Sequence, residues 1–292
     1  MNQTDRNRHL PCLCLFIFLT AGVGSVEAAA EDIGNTTLLS STFDVVRDGV
    51  DLLIPEYVKG DDLRIRLGAG FGFVPDYYGS NDYRFRATPL IDLRYKNRLR
   101  LSFNQLSYSV IVHEGFELGP LLRYKSGRSE SRNAMLAGLG DINATTQVGA
   151  FARYRSDRML LSFEVREALG SNQGTQIHAM AGHALFKDGN FVLAAALTGR
   201  WLSDAAAQTN FGITQKQSDA SLTGLDTFAA NGGLSRVGSH MLLRYDVNQD
   251  YRLLGLLTYE RLLGNFANSP LVAGNAGSAN QFRIGIGFTI DF

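Results

Sequence analysis

Cysteine, tryptophan and proline are all scarce in this chain: two Cys, one Trp and six Pro in 292 residues. Both cysteines, Cys12 and Cys14, fall in a leading stretch where a polar segment with Arg6 and Arg8 runs into "LPCLCLFIFLTAGVGSV" and then "EAAA". That succession reads as a secretory leader over residues 1–30, cleaved after Ala28 or Ala30. The cysteines sit early in the apolar stretch rather than at its end, which argues against a lipoprotein anchor. The exported chain is therefore expected to hold no disulfide and no thiolate metal site. Net charge is also missing, with 28 basic and 28 acidic residues. A nucleic-acid partner, which calls for a basic excess, is excluded on that ground. Beyond the leader no apolar run reaches 18 residues, so a bundle of membrane helices is excluded too.

What the chain has instead is glycine and aromatics, 31 Gly with 18 Phe and 11 Tyr, arranged with period two. In "DLRIRLGAGFGF" the apolar set is Leu63, Ile65, Leu67, Ala69, Phe71 and Phe73; Arg64, Arg66 and three glycines alternate with it. "DYRFRATPLIDLRY" repeats the pattern, with Arg84, Arg86 and Arg94 on the polar side. Alternation alone also fits a soluble antiparallel sheet. Length decides between them. Soluble strands average about 5–6 residues and tilted bilayer-spanning ones need about 9–11; most segments here run to ten or more. Backbone groups in hydrocarbon must be paired, so such a sheet has to close. The expected fold is all-β, a transmembrane antiparallel up-and-down β-barrel over residues 62–292.

Connections fall into two sizes. Tight polar turns appear at Lys96–Arg98, His113–Gly115, Ser156–Arg158, Lys187–Asn190 and Asn248–Asp250, and five long connections alternate with them. Short turns are periplasmic and long loops external in such barrels. Twelve strands need a sixth external connection. It is expected at Asn104–Gln105, where the apolar phase flips from Leu99, Leu101 and Phe103 to Leu106, Tyr108, Val110 and Val112, between strands of seven or eight residues. Ten strands is the fallback. Residues 31–61 do not alternate: Leu39, Phe43, Val46, Val50 and Leu53 have helical spacing. This reads as a periplasmic lead-in, either half-ordered or a short amphipathic helix at the barrel mouth.

Chemistry-bearing constellations are thin. His113, His178, His183 and His240 lack a paired carboxylate or a nucleophile motif, and His178 and His183 are five apart, on opposite faces of a strand. No catalytic, cofactor-binding or metal set is expected. "GAGFGF" and "GLGD" (Gly138–Asp141) are expected to continue or open strands rather than to cradle phosphate. The polar-face arginines Arg64, Arg66, Arg84, Arg86, Arg94 and Arg283 are expected to face the lumen. There they either line an anion-preferring pore or pair with Asp82, Asp92, Glu117, Glu164 and Asp291 and plug it; equal charge numbers favour plugging.

The words "PDYYGSNDYRFRATPLIDLRY", "GPLLRYKSGR" with "LAGLGDINATTQVGAFARY", "FGITQKQSDASLTGLDTFAANGGL" and "YERLLGNFANSPLV" with "NQFRIGIGFTIDF" resemble, in order, the MipA/OmpV family of outer-membrane proteins of Gram-negative cells. The resemblance spans Leu63 to the C-terminus; Asn265 stands where the family commonly has an acidic residue. Within these words Asp76, Tyr77, Gly79, Ser80, Gly138, Gly140, Asp141, Ser218, Gly224, Arg261, Gly264, Ser269 and Pro270 are loop positions without an assigned role. The resemblance implies a non-enzymatic barrel in the cell outer membrane, in contact with lipid and lipopolysaccharide. In one branch it implies a scaffold for a lytic transglycosylase and a penicillin-binding protein in murein metabolism. In the other it implies an adhesin or environmental-response protein. A small-solute channel is the remaining alternative.

The last segment, "FRIGIGFTIDF", puts Phe282, Ile284, Ile286, Phe288, Ile290 and Phe292 on one face. It reads as the closing strand, pairing with the strand from Leu63. A terminal Phe is also what the resemblance leads one to expect of a substrate of the barrel-assembly machinery. Deleting Phe292 is expected to impair assembly more than deleting any loop residue, measured as loss of heat-modifiable folded protein.

Overall fold

The computed structural model describes Arg47, residues 63–170 and residues 172–292. The leader and, apart from Arg47, the lead-in with its expected helix lie outside the described residues. Arg47 itself is helical and buried.

Antiparallel strands follow one another in chain order: β1 (Leu63–Pro75), β2 (Tyr83–Tyr95), β3 (Leu99–Ser102), β4 (Gln105–Tyr108), β5 (Ile111–His113), β6 (Phe116–Lys125), β7 (Thr145–Arg155), β8 (Met159–Ala168), β9 (Thr175–Asp188), β10 (Phe191–Leu202), β11 (Gly233–Asp246), β12 (Tyr251–Leu262) and β13 (Asn280–Asp291). β4 and β5 both pair with β6, Ser107 opposite Leu121 and Ile111 opposite Leu118, with a register slip between them. They are two halves of one bulged strand, so the ring is a closed twelve-strand barrel. β1 closes it against β13 through a ladder from Arg66↔Asp291 to Phe73↔Ile284. The Phe292 N–H extends that ladder, donating to the Ile65 carbonyl at 2.9 Å.

Alternation sets the two faces. Leu67, Phe71, Phe85, Leu197, Phe282, Ile284 and Ile286 are exposed outward, where lipid takes the place of a core. Tyrosines cluster near strand ends on this face: Tyr95, Tyr154, Tyr245 and Tyr251 at the short-turn side, Tyr83 and Tyr124 at the loop side. These are the girdles that amphipathic rings form at membrane interfaces. The polar partners point into the lumen.

The phase flip near residue 104 is a hairpin, but it turns at Phe103–Asn104, with Ser102 opposite Gln105. Phe103 therefore leaves the strand, at φ +54°, and Gln105 belongs to β4. Its arms are also shorter than expected, four residues in β3 and four in β4 before the bulge. Against the thirteen residues of β2, this hairpin reaches only part of the way up the wall. β3 pairs with β2 over Asp92–Tyr95 alone. The rest of that β2 edge, Tyr83 to Leu90, has no strand partner among the described residues.

On the long-loop side the connections fold together. Four short helices, α1 (Asp204–Phe211), α2 (Gln215–Ala220), α3 (Gly264–Ala267) and α4 (Pro270–Ala273), join 3-10 turns at Glu130–Arg132 and Ala134–Leu136. Three of the four starts have a local cause. Ser203 caps α1, Thr214 and Gln217 form a capping box on α2, and Ser269 caps α4 with Pro270 at its first turn. Gly138 and Gly140 belong to these loops at φ +88° and +74°. Opening a strand, as expected of them, is not their role; a left-handed turn ahead of β7 is, and it suits glycine.

Candidate functional site

Two things stand in the way of a solute entering from the loop side. The first is a hydrophobic cap. Tyr77, Leu136, Leu139, Phe211, Ile213, Leu225, Phe266, Leu271 and Val272 form one buried cluster drawn from every long loop but the one between β8 and β9. Phe211 and Phe266 meet edge to face, with centroids 5.2 Å apart. Hydrogen bonds pin the layers: Ser269 Oγ donates to the Phe211 carbonyl at 2.7 Å, Gln217 to Leu139 O at 2.7 Å, and Ser218 Oγ to Leu225 O at 2.8 Å.

The family-word residues, spread over four loops in sequence, are largely gathered in this cap. Tyr77 is in the cluster, Ser80 is fully buried and bridges to Gly277. Burial pushes the Tyr77 phenol up to about 12. Gly79, at φ +98°, could not carry a side chain, because a Cβ would lie 2.3 Å from the Val272 side chain. Asp76 is buried in the rim. Burial alone would raise its carboxyl, but hydrogen bonds from Arg84 and Asn133 and the charges of Arg84 and Arg132 hold it below the usual carboxylate range. Asp141 accepts from the Glu130 N–H. Gly224 and Gly264 are left-handed turn residues at φ +68° and +50°. Arg261 is at the rim, donating to Asn280.

Below the cap the lumen is filled by charge. Glu260 on β12 accepts from Arg283 at 2.6 Å and lies 3.3 Å from Arg236. Arg236 in turn stacks over the Tyr78 ring, 4.3 Å to its centroid. On the opposite wall Glu164 of β8 meets Gln105 at 3.0 Å and Arg166 at 3.4 Å. Its third partner was not predicted: Arg47, from the lead-in, donates to Glu164 at 2.7 Å and to Gln105 at 2.6 Å. Toward the short-turn end Asp92 holds Arg100 and Arg94, while Asp291 holds Arg66 and Arg252. Of the arginines expected in the lumen, Arg66, Arg86 and Arg283 are buried and Arg64, Arg84 and Arg94 half-buried. His178 and His240 are buried wall residues, His240 bridging Thr198 and Thr258 at 2.9 and 3.1 Å.

Arg66, Arg86, Arg100, Arg123, Lys125, Arg153, Arg166, Arg200, Arg236, Arg244, Arg252 and Arg283 are buried on strands, against Asp92, Glu164 and Glu260. Many of the remaining carboxylates sit in exposed turns and loops, such as Glu114, Asp157, Asp188 and Asp250. Just under the cap, Tyr78, Arg123, Lys125, Arg166, Arg200 and Arg236 surround about 20 Å³ of room for water, little more than one molecule needs. Among the described residues no group of three or more His, Cys, Asp or Glu is placed to hold a metal.

The chain is similar to the KdgM porin solved in complex with disordered oligogalacturonate, at 10% identity and TM-score 0.41, over 78% of this chain and 99% of that one. It is similar to the translocator domain of the autotransporter NalP from Neisseria meningitidis, at 11% identity and TM-score 0.42, over 92% and 98%. An outer membrane channel from Pseudomonas putida F1 matches at 13% identity and TM-score 0.39, over 81% and 100%. No curated protein sequence matches. Residues 67–292 match the family described as MltA-interacting protein MipA. That match takes in the whole ring from within β1 to the last strand and all the loops of the cap, and the chain belongs to the MipA family.

Proposed function

We propose that this protein is a sealed outer-membrane barrel that serves as an envelope anchor for a murein-cleaving lytic transglycosylase, the type of partner the family description names, and for the synthase working beside it. The observation that carries the reading is the closed mouth. A barrel whose external loops are locked into a buried apolar cluster, over a lumen tied by ion pairs, is built to hold a shape rather than to pass solute. Its periplasmic side offers short polar turns with both signs of charge, such as Lys96, Arg98, Glu114, Arg158 and Asp188. That surface suits reversible docking of a soluble enzyme. The reading is non-enzymatic.

The test is in-cell periplasmic crosslinking from residues placed in these turns, with the captured proteins identified by mass spectrometry. The expected result is a lytic transglycosylase joined to Asn97 or Asp157 but not to an external position such as Thr223. Recovery of no murein enzyme from any turn would defeat the scaffold reading. A second reading, passage of small anions, is favoured by the arginines buried on the strands among the described residues. In planar bilayers the scaffold reading expects a silent protein; unitary steps with an anion-selective reversal potential would establish the second instead.

A further inference from the structure

The short β3–β4 hairpin leaves a notch in the barrel wall. From Tyr83 to Leu90 the outer edge of β2 faces no strand among the described residues, about 25 Å of edge at about 3.3 Å per residue. The opposite side is the top of β6, where Tyr124 is tied to the hairpin tip by Asn104. Ile91 O accepts from Phe103 N–H, so by strand alternation the backbone groups of Pro89, Ala87 and Phe85 point toward the notch. Pro89 has no N–H to leave unpaired, as suits an edge. An open edge in hydrocarbon is costly, and the external loop after β6 reaches the top of this one. There Asn133 donates to Asp76 and Asp82, and Arg84 donates to Asp76 and the Arg132 carbonyl.

Behind the notch lies a cation cluster. Arg84 and Arg86 enter from β2, and Arg128 and Arg132 from the loop. Arg132 is buried, with Nε and Nη2 lacking any hydrogen-bond partner among the described residues, and Arg128 Nε is in the same state. Burial, with Arg86 and Arg84 close by, lowers the Arg132 guanidinium to about 10; burial lowers that of Arg128 likewise. Asp76 is the buried carboxylate of the group, whereas Asp82 and Asp141 are exposed. A planar guanidinium fork matches phosphate oxygens, and one phosphate monoester carries about two negative charges.

We propose that this notch binds a phosphate-headed amphiphile, its phosphate held by Arg128 and Arg132 and its acyl chains leaving between β2 and β6. Phe85 and Tyr124, both exposed on the lipid side, flank that exit. Because the notch opens on the long-loop half of the wall, the amphiphile comes from the outer-leaflet side.

The experiment takes the full folded protein, delipidated in detergent, and titrates it with lipid A, phosphatidylglycerol or inorganic phosphate under native mass spectrometry. One lipid is expected to bind, at least about tenfold more weakly in the Arg128→Gln/Arg132→Gln variant. Preference for lipid A or for phosphatidylglycerol identifies the source. Inorganic phosphate binding as tightly as either lipid, or no loss in the variant, would overturn the proposal. A photo-crosslinker at Ala87, compared with one at the lipid-facing Ile286, gives a readout that leaves the arginines intact. Lipid adducts are expected to be several-fold enriched at Ala87, and equal labelling at both positions would count against the site.

Discussion

Replacing Glu260 by alanine is expected to cost the folded barrel about 3–5 kcal/mol, the usual penalty for removing one side of a buried ion pair. Glu260 is the common partner of Arg283 and Arg236, and all three side chains are nearly inaccessible. Without the carboxylate, two guanidinium groups from neighbouring strands remain buried with charges of the same sign. Arg236 keeps its contact with Tyr78, whose hydroxyl lies 3.2 Å away, but that group does not neutralise a charge. A glutamine at the same position keeps an acceptor for Arg283 and is expected to lose less. The measurement is urea unfolding of the reconstituted barrel followed through Trp201, the sole tryptophan of the chain. A loss below about 1 kcal/mol, the scale of an exposed pair, would mean that water reaches this part of the lumen.

The same cluster shows where sequence reasoning worked and where it stopped. Which residues face inward was legible, because period two fixes the faces of every strand. Arg66, Arg86 and Arg283 could be assigned to the lumen from alternation alone. A hairpin was legible for the same reason, since a parity change demands a turn, but it was expected at Asn104–Gln105, one residue beyond the observed Phe103–Asn104 turn. Its shortness was not legible. Four paired residues and a bulge look much like a longer irregular strand when only side-chain character is visible. Nor could alternation tell which carboxylates accompany the arginines inside, since Glu114 in a turn and Glu117 on a strand are the same residue type three places apart. The cap was the least legible part. α1 to α4 are short, polar or mixed segments whose helicity comes from caps at Ser203, Thr214 and Ser269 and from packing on other loops. The family words marked those loops as important without saying that they meet. Arg47 gave no signal at all, for a single charge in a non-alternating stretch has no pattern to read.

Closure of the ring depends on glycine at one position, and Gly68→Ala is expected to prevent it. β1 and β13 are the first and last strands, so their pairing joins parts of the chain more than two hundred residues apart, and an unclosed pair would leave backbone groups in hydrocarbon. Along that seam Gly68 lies opposite Thr289. A Cβ there would sit 2.0 Å from the Phe288 carbonyl oxygen, a backbone atom that cannot step aside without breaking the ladder. Gly70, the next residue on the same face, provides the control. Its Cβ would first meet the Thr88 methyl at 3.3 Å, a side chain able to yield. Overpacking of a well-fitted site costs about 1–3 kcal/mol, and here it falls on the one pairing that completes the barrel. The Gly68→Ala protein is expected to show mostly unfolded mobility on unheated gels, while Gly70→Ala keeps the wild-type folded band. Equal folded fractions for the two variants would show that the seam has slack that the ladder from Arg66 to Phe73 does not reveal.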